Sequence, residues 1–329
     1  HHAVTGGRTI VTTRRLGPWK VYPIGLGCMN VSWPRGAAVA EDTRKASAIP
    51  GIHAGLDAGV TLLDTADIYA PAWDQVGHNE TFVAEALGTW EAQPEQKDQV
   101  LIATKGGITR SDGEKWGRNG SLDYLVGAAE RSRDRLGVDV IDLWQHHRLD
   151  PELPFETQFE NVLELKSRGI VREIGVSNYN AAHLTRALEI GGGPDQGGLI
   201  SVQNEFSPLY RHDLEVLEIC EDNGIAFLPW SPLGGSKKVN RITTGEVGSF
   251  VSKAREKAVS PESLVLAWLL AYSPVIIPIP GATRAESIRD SVSAAGIALT
   301  DGERDALSAS LPESLPRSEE LEPSPPWRD

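Results

Sequence analysis

The stretch DAGVTLLD, residues 57–64, reads as a helix end, a glycine, a β-branched residue and then an apolar strand closing on a carboxylate. The same order returns in RLGVDVIDL (135–143), SRGIVREIG (167–175) and DNGIAFLP (222–229). Glycine takes the left-handed conformation that ends a helix without a Cβ clash. The strands that follow are apolar enough to be covered on both faces, as parallel strands are. β-Branched runs recur at 21–29, 61–67, 100–106, 141–147, 171–178, 200–207, 225–232 and 275–281. Between them lie amphipathic stretches such as Asn79–Trp90, Leu122–Leu136, Phe155–Arg168, Asp213–Asn223 and Ser263–Ala271. Strands alternating with helices imply right-handed crossovers and a parallel sheet. Eight such units in 329 residues predict an α/β fold closed as a (β/α)8 TIM barrel, one domain over the whole chain, rather than an open sheet.

Further signals lie at the edges of this repeat. Thr300-Asp301-Gly302-Glu303 has capping-box spacing and predicts an extra C-terminal helix after the eighth strand. Ser260-Pro261 marks another helix start, and a short helix is expected within 245–257. His1 and His2 look like a tag remnant, so residues 1–14 are expected to be a flexible N-terminus. Residues 312–329 are proline-rich and acidic, and are expected to be irregular, either disordered or draped over the barrel mouth.

The formal net charge of −13 argues against nucleic acid or an anionic membrane as partner, since both require a basic face. Cys28 and Cys220 form no metal or disulfide pattern, and no metal is expected. No secretory signal is visible, so none is expected, and the longest apolar stretch, Leu264–Tyr272, is too short to span a bilayer. A cytoplasmic protein is the expectation, with a charged, helix-covered barrel compatible with a monomer or an assembly. Trp33, Trp73 and Trp116 stand in glycine-containing loops and are expected to line a substrate pocket.

Barrel active sites lie at the carboxyl ends of the strands. TLLDTADIY (61–69) delivers Asp64 and Tyr69 there, VLIATKGG (100–107) delivers Lys105, and IDLWQHH (141–147) delivers His147. A carboxylate, a phenol, an ammonium and an imidazole on three consecutive strands should converge. Adjacent strand residues face opposite ways, so only one of His146 and His147 looks inward. A set of Asp64, His147 and Glu205 could instead serve a metal-dependent barrel hydrolase, but no inward His-x-His pair accompanies it and Lys105 is an awkward neighbour.

The segments GLGCM (25–29), LLDTADIY (62–69), IATKGG (102–107), DLWQHHRLDP (142–151), IGVSN (174–178), VQNEFSPL (202–209), LPWSPLGG (228–235) and IPIPGATRAESI (277–288) occur one per strand. Together they resemble the aldo-keto reductase family over nearly the whole chain. The resemblance assigns Asp64, Tyr69, Lys105 and His147 as the catalytic set. Its Asp-to-Tyr spacing selects Asp64 over Asp67, and its His-Arg pair selects His147 over His146. It implies an NADPH-dependent reductase of aldehydes or ketones, because hydride needs a cofactor. Tyr69 would move the proton, with its pKa lowered by Lys105. Asp64 would anchor Lys105, and His147 would orient the carbonyl.

No GxGxxG opens the first unit, so no Rossmann domain is expected. The resemblance instead lays the cofactor across the mouth, with Met29 beside the ring and Asp64 nearby. Ser177, Asn178 and Gln203 would hold the carboxamide, and Trp230 would stack on the nicotinamide. Ser231, Pro232, Leu233 and Gly234 would approach the pyrophosphate. Gly281, Thr283, Arg284, Ser287, Asp290 and Ser291, with Arg241, would meet the adenosine end, the arginines favouring a 2′-phosphate. Many relatives carry Glu and Asn where Asp290 and Ser291 stand, and a short YG segment where this chain has APAWDQVGHNE (70–80). That insert is expected to shape the substrate pocket. Alternatives within and outside this chemistry are a sugar-nucleotide or secondary-metabolite ketoreductase and an NADPH-binding auxiliary subunit.

Overall fold

A computed structural model describes residues 3–5, 8–33, 41–230, 232–233, 248–281 and 284–315. Its centre is a run of parallel strands, numbered here along the barrel: β1 (Leu26–Gly27), β2 (Leu62–Asp64), β3 (Leu101–Gly106), β4 (Ile141–His146), β5 (Val171–Ser177), β6 (Ser201–Gln203) and β7 (Ala226–Phe227). Each pairs in parallel with the next. Residues 275–281 close the ring. Ile277 N–H donates to Phe227 O and Phe227 N–H to Val275 O, while Gly25 and Gly27 N–H donate to the carbonyls of Pro278 and Pro280. Pro278 and Pro280 have no N–H to return. The eighth segment therefore contributes isolated bridges, at Phe227–Ile276 and Gly27–Gly281, where a regular strand was expected. The barrel is closed nonetheless, as the repeat predicted.

The first expected strand, 21–29, divides in two. Val21 ends a hairpin, Arg14–Leu16 paired with Trp19–Val21, and only Leu26–Gly27 joins the barrel. Leu16 and Val21 pack with Leu62, Leu101, Leu143, Ile200 and Ile277 inside the barrel, so the hairpin plugs the amino end of the strands. Gly17 turns it at φ 57°, where an added Cβ would lie 2.8 Å from Ile200. Arg14 fixes the plug by donating to the carbonyls of Leu270, Ser273 and Ile276. Residues 1–14, expected to be flexible, thus contain the first plug residue, and Ala3–Thr5 pairs antiparallel with Arg8–Ile10. With the amino end blocked, the carboxyl end is left as the mouth.

The expected helices form as His78–Gly88, Leu122–Leu136, Phe155–Ser167, Leu214–Asn223 and Pro261–Tyr272. Gly137 and Gly224 close two of them in the left-handed conformation that the repeated junction requires. Glu41–Asp57, which holds Pro50, and Ala181–Gly191 are additional helices. Gly248–Glu256 lies in the stretch expected to hold a short helix. The extra helix is Asp301–Ala309, with Thr300 and Glu303 capping each other's N–H as their spacing implied. Beyond it, Leu315 N–H donates to Leu209 O and Ser314 Oγ accepts from Arg211 N–H, so the described start of the tail lies along the loop after β6. Both cysteines are buried and unpaired to each other. No helix among the described residues is long and apolar enough to cross a membrane.

Candidate active site

Strand alternation sends Asp64, Lys105, Gln145, His147, Ser177 and Gln203 toward one mouth, above an apolar barrel interior. Lys105 stands at the centre. Its Nζ donates to Asp64 Oδ2 at 2.5 Å, to Thr65 O at 3.0 Å and to Tyr69 Oη at 3.2 Å. The other Asp64 oxygen accepts from Gln145 Nε2 at 3.1 Å and Gln203 Nε2 at 3.0 Å. An ammonium has three protons to give, and all three are used within the protein. The His147 ring meets the Tyr69 ring edge-on, with centroids 6.0 Å apart.

The electrostatics follow from burial and from these contacts. Burial alone would pull Lys105 down, but the charges of Asp64 and Tyr69 and their hydrogen bonds outweigh it, and its pKa is raised. Burial pushes the Tyr69 phenol up, against the pull of Lys105, and Asp64 adds to the rise. This corrects the expectation of a lowered tyrosine: burial outweighs the pull of Lys105, part of which Asp64 offsets. Tyr69 is accordingly a protonated donor at neutral pH. His147 is held well below the usual histidine range, by burial first and by Lys105 and Arg148 next. It is a neutral imidazole whose buried Nδ1 has no hydrogen-bond partner among the described residues.

The two rejected neighbours turn away from the mouth. His146 places Nδ1 2.7 Å from Tyr179 Oη, and burial lowers its pKa to about 4. Asp67 is buried near Glu80 and Arg135, and its pKa is pushed well up by burial and by Glu80. Gly77 N–H donates to the Asp67 carbonyl at 2.7 Å and Asn79 N–H to the Tyr69 carbonyl at 3.1 Å, which returns the insert 70–80 to the loop it leaves.

Beside this group lie the residues expected to hold a nicotinamide. Ser177 Oγ donates to Gln203 O at 2.7 Å. Asn178 has φ 60°, a left-handed conformation uncommon outside glycine. Asn204 clamps it: its Oδ1 accepts from Asn178 N–H at 2.7 Å while its Nδ2 donates to Tyr179 O at 2.9 Å. Asn178 Nδ2 donates to His147 O, and its Oδ1 accepts from Trp230 Nε1 at 3.2 Å. Gln203 spends its amide protons on Asp64 and on Gln145 Oε1. Its own Oε1 accepts nothing among the described residues, which suits it to the N–H groups of a carboxamide. The Trp230 ring, with Asn178 at its edge, supplies a flat surface for a stacked ring. This donor and acceptor set fits a nicotinamide.

Other expected contacts are only partly gathered. Gly281 bridges to Gly27 and lies where a Cβ would come 2.9 Å from Asn30 Nδ2. Arg284 precedes the helix Ala285–Ser293, whose first turn has no side-chain cap, and its Nε donates to Ser287 Oγ at 3.0 Å. Free N–H groups beside an exposed guanidinium suit a phosphate. Asp290 instead accepts from Ser260 Oγ, and Ser291 is buried. Pro232 is buried and Leu233 packs against the main core. Ser231, Gly234, Arg241 and Thr283 lie outside the described residues.

Met29, Trp33 and Trp116 pack on Ala66, Ile68, Tyr69 and Ile108. Trp33 and Trp116 stack on each other at 5.2 Å, as one wall rather than two. Trp73 is 38% exposed, and its N–H donates to Glu114 Oε1. Sequence reasoning missed the hairpin that brings Trp116 here, Ile108–Ser111 paired with Lys115–Arg118. Its signal was Asp112-Gly113 between alternating residues. It also missed Gln145, legible as the inward residue two before His147, and Asn204. Among the described residues no three His, Cys, Asp or Glu side chains cluster as a metal site.

Comparison with known proteins bears on this geometry. Residues 23–311 match the model of the Aldo/keto reductase family. An uncharacterised oxidoreductase of Schizosaccharomyces pombe is 32% identical over 289 residues, spanning 88% of this chain and 86% of that protein. Among solved structures, an aldo/keto reductase from Klebsiella pneumoniae in complex with NADP and acetate superimposes with a TM-score of 0.73 at 22% identity, over 94% of this chain and 99% of the other. The holo form of an aldo-keto reductase from Bacillus halodurans gives a TM-score of 0.72 at 24% identity, with the same coverage of both chains.

Proposed function

The chain belongs to the aldo/keto reductase family, and from that premise we propose that it is an NADPH-dependent reductase of aldehyde or ketone carbonyls with Tyr69 as general acid. The observation that carries this reading is the position of Lys105, hydrogen-bonded at once to Asp64 and to Tyr69. NADPH, when bound, supplies the hydride. Ser177, Asn178, Gln203 and the Trp230 face would orient its nicotinamide, and Arg284 with Ser287 would meet the adenosine phosphate. The Klebsiella pneumoniae relative, described as a complex with NADP and acetate, supports the choice of cofactor.

The chain's own residues then divide the work on the carbonyl. Tyr69 donates its proton to the oxygen as charge develops there, and general acid catalysis of this kind contributes roughly 10²–10⁴-fold. Lys105 stabilises the phenolate left behind, since its ammonium already faces Tyr69 Oη. Asp64 keeps that ammonium charged and aimed. His147, neutral and buried, orients the carbonyl oxygen without competing for the proton. Alcohol oxidation runs the same steps backward, with Tyr69 as base.

The test is NADPH absorbance in the presence of aldehydes, ketones and keto-sugars, with Tyr69→Phe in parallel. Carbonyl-dependent oxidation that Tyr69→Phe abolishes is the expected result. Wild-type turnover in the variant would remove Tyr69 from its role. Tight NADPH binding without turnover of any carbonyl would favour the auxiliary-subunit reading, and turnover confined to keto-sugars would favour a sugar-nucleotide reductase.

A further inference from the structure

Arg110 lies on the mouth hairpin, outside the set of polar strand-end residues. Its side chain is only 2% exposed although it sits at the rim. Nη1 donates to Ile68 O at 3.1 Å and to Ala70 O at 2.8 Å, the carbonyls on either side of Tyr69. Nε and Nη2 form a two-pronged pair with Glu114, at 2.9 and 3.0 Å. The guanidinium carbon lies 4.6 Å from the Trp33 ring centroid and 4.7 Å from that of Trp116. Glu114 in turn accepts from Trp73 N–H at 2.8 Å, inside the insert that follows Tyr69.

Most of that fork is used by the protein. A guanidinium has five protons in a fixed fork, and four are accounted for by backbone carbonyls and one carboxylate. Arg110 is therefore poorly placed to take an anionic substrate. Glu114 holds the fork from a residue at φ 57°, an uncommon conformation that the double ion pair and the Trp73 contact stabilise. Tyr69 sits in a short loop after β2, and among the described residues no strand hydrogen bond fixes Ile68 or Ala70 O. Arg110 supplies that fixation and rests on the aromatic wall at the same time.

We infer that Arg110 is a positioning residue that holds the Tyr69 backbone and the Trp33–Trp116 wall in one fixed relation, so that proton delivery and substrate placement are set by a single side chain. The inference rests on Tyr69 being the proton donor. It assigns Arg110 a part in catalysis that the sequence did not suggest.

The test compares Arg110→Met, Arg110→Lys and Glu114→Gln in the full chain, with 4-nitrobenzaldehyde and propanal as substrates. Arg110→Met should lower kcat for both by about 100-fold, the cost of a displacement near 1 Å in a reacting group. It should raise KM for the aromatic aldehyde more than for propanal and leave the Kd for NADPH unchanged. Arg110→Lys keeps the charge but loses the fork, and should restore part of kcat. Glu114→Gln should cost less than Arg110→Met. Unchanged kcat in Arg110→Met, or a loss matched by lost NADPH affinity, would overturn the assignment. Hydrogen exchange of residues 66–73, which needs no substrate, should rise in Arg110→Met. Unchanged exchange overturns the proposal even where wild type reduces neither aldehyde, an outcome that would separately count against the carbonyl-reductase reading.

Discussion

The Lys105 ammonium meets the Asp64 carboxylate at 2.5 Å, with 1% and 7% of their side chains exposed. Removing one partner of such a pair strands the other charge, at a cost of roughly 3–5 kcal/mol. Asp64→Asn should therefore lower stability by about that amount and depress turnover as well. Lys105 is raised above its ordinary value. Its contribution is fully present below the unfolded lysine value near ~10.4 and is lost only as pH rises through the higher folded value. Urea unfolding across neutral pH should give a constant difference between wild type and variant. A difference that varied with pH there would contradict the assignment of charge.

With Tyr69 as the proposed proton donor, its titration should set the pH dependence of turnover. The phenol is raised, so its proton is present through neutral pH and is lost only above the usual tyrosine value of ~10. His147 is depressed, so it adds no protonation step near neutrality. The rate of reduction at saturating cofactor should be level from about pH 6 up to the usual tyrosine value of ~10 and fall only beyond it, given those two directions. Alcohol oxidation, which needs the phenolate, should instead increase with pH. A steep fall in reduction between pH 7 and 8 would mean that Tyr69 is not the donor.

Much of this site is legible in the sequence because strand alternation is rigid. Once Asp64, Lys105 and His147 end their strands, their direction into the mouth follows from the period of two. What alternation does not reach is harder. Arg110 acts through carbonyls of a loop, and a backbone acceptor leaves no side-chain signature. The direction of the Tyr69 pKa is not legible for a related reason: burial, which no local pattern displays, outweighs the pull of Lys105, and Asp64 offsets part of that pull. The eighth strand was legible as an apolar run, but Pro278 and Pro280 reduce it to bridges.

His146 gives a stability prediction independent of catalysis. It is buried against Tyr179 and depressed from 6.5 to about 4. A depressed group contributes stability above its unfolded value that is lost as pH falls toward its folded one. Between pH 6.5 and 4 the unfolded chain takes up a proton that the folded one refuses, worth roughly 3 kcal/mol over that span. His146→Gln, which can still bond Tyr179 Oη, should flatten this part of the profile in urea titrations at pH 7 and 4.5. An identical acid slope in the variant would remove His146 as its source.

Arg284 tests the adenosine end of the cofactor site. Its guanidinium is exposed beside Ser287 at an uncapped helix start, and no carboxylate pairs with it among the described residues. A hydrogen bond to a charged group contributes about 1.5–3 kcal/mol. Arg284→Ala should therefore weaken NADPH by roughly ten-fold or more, 1.4 kcal/mol being a factor of ten. NADH lacks the 2′-phosphate and should bind the variant as it binds wild type. Fluorescence titration with both cofactors separates the two losses. If NADPH and NADH weaken equally, Arg284 supports the helix start alone, and the 2′-phosphate must be read by some other residue.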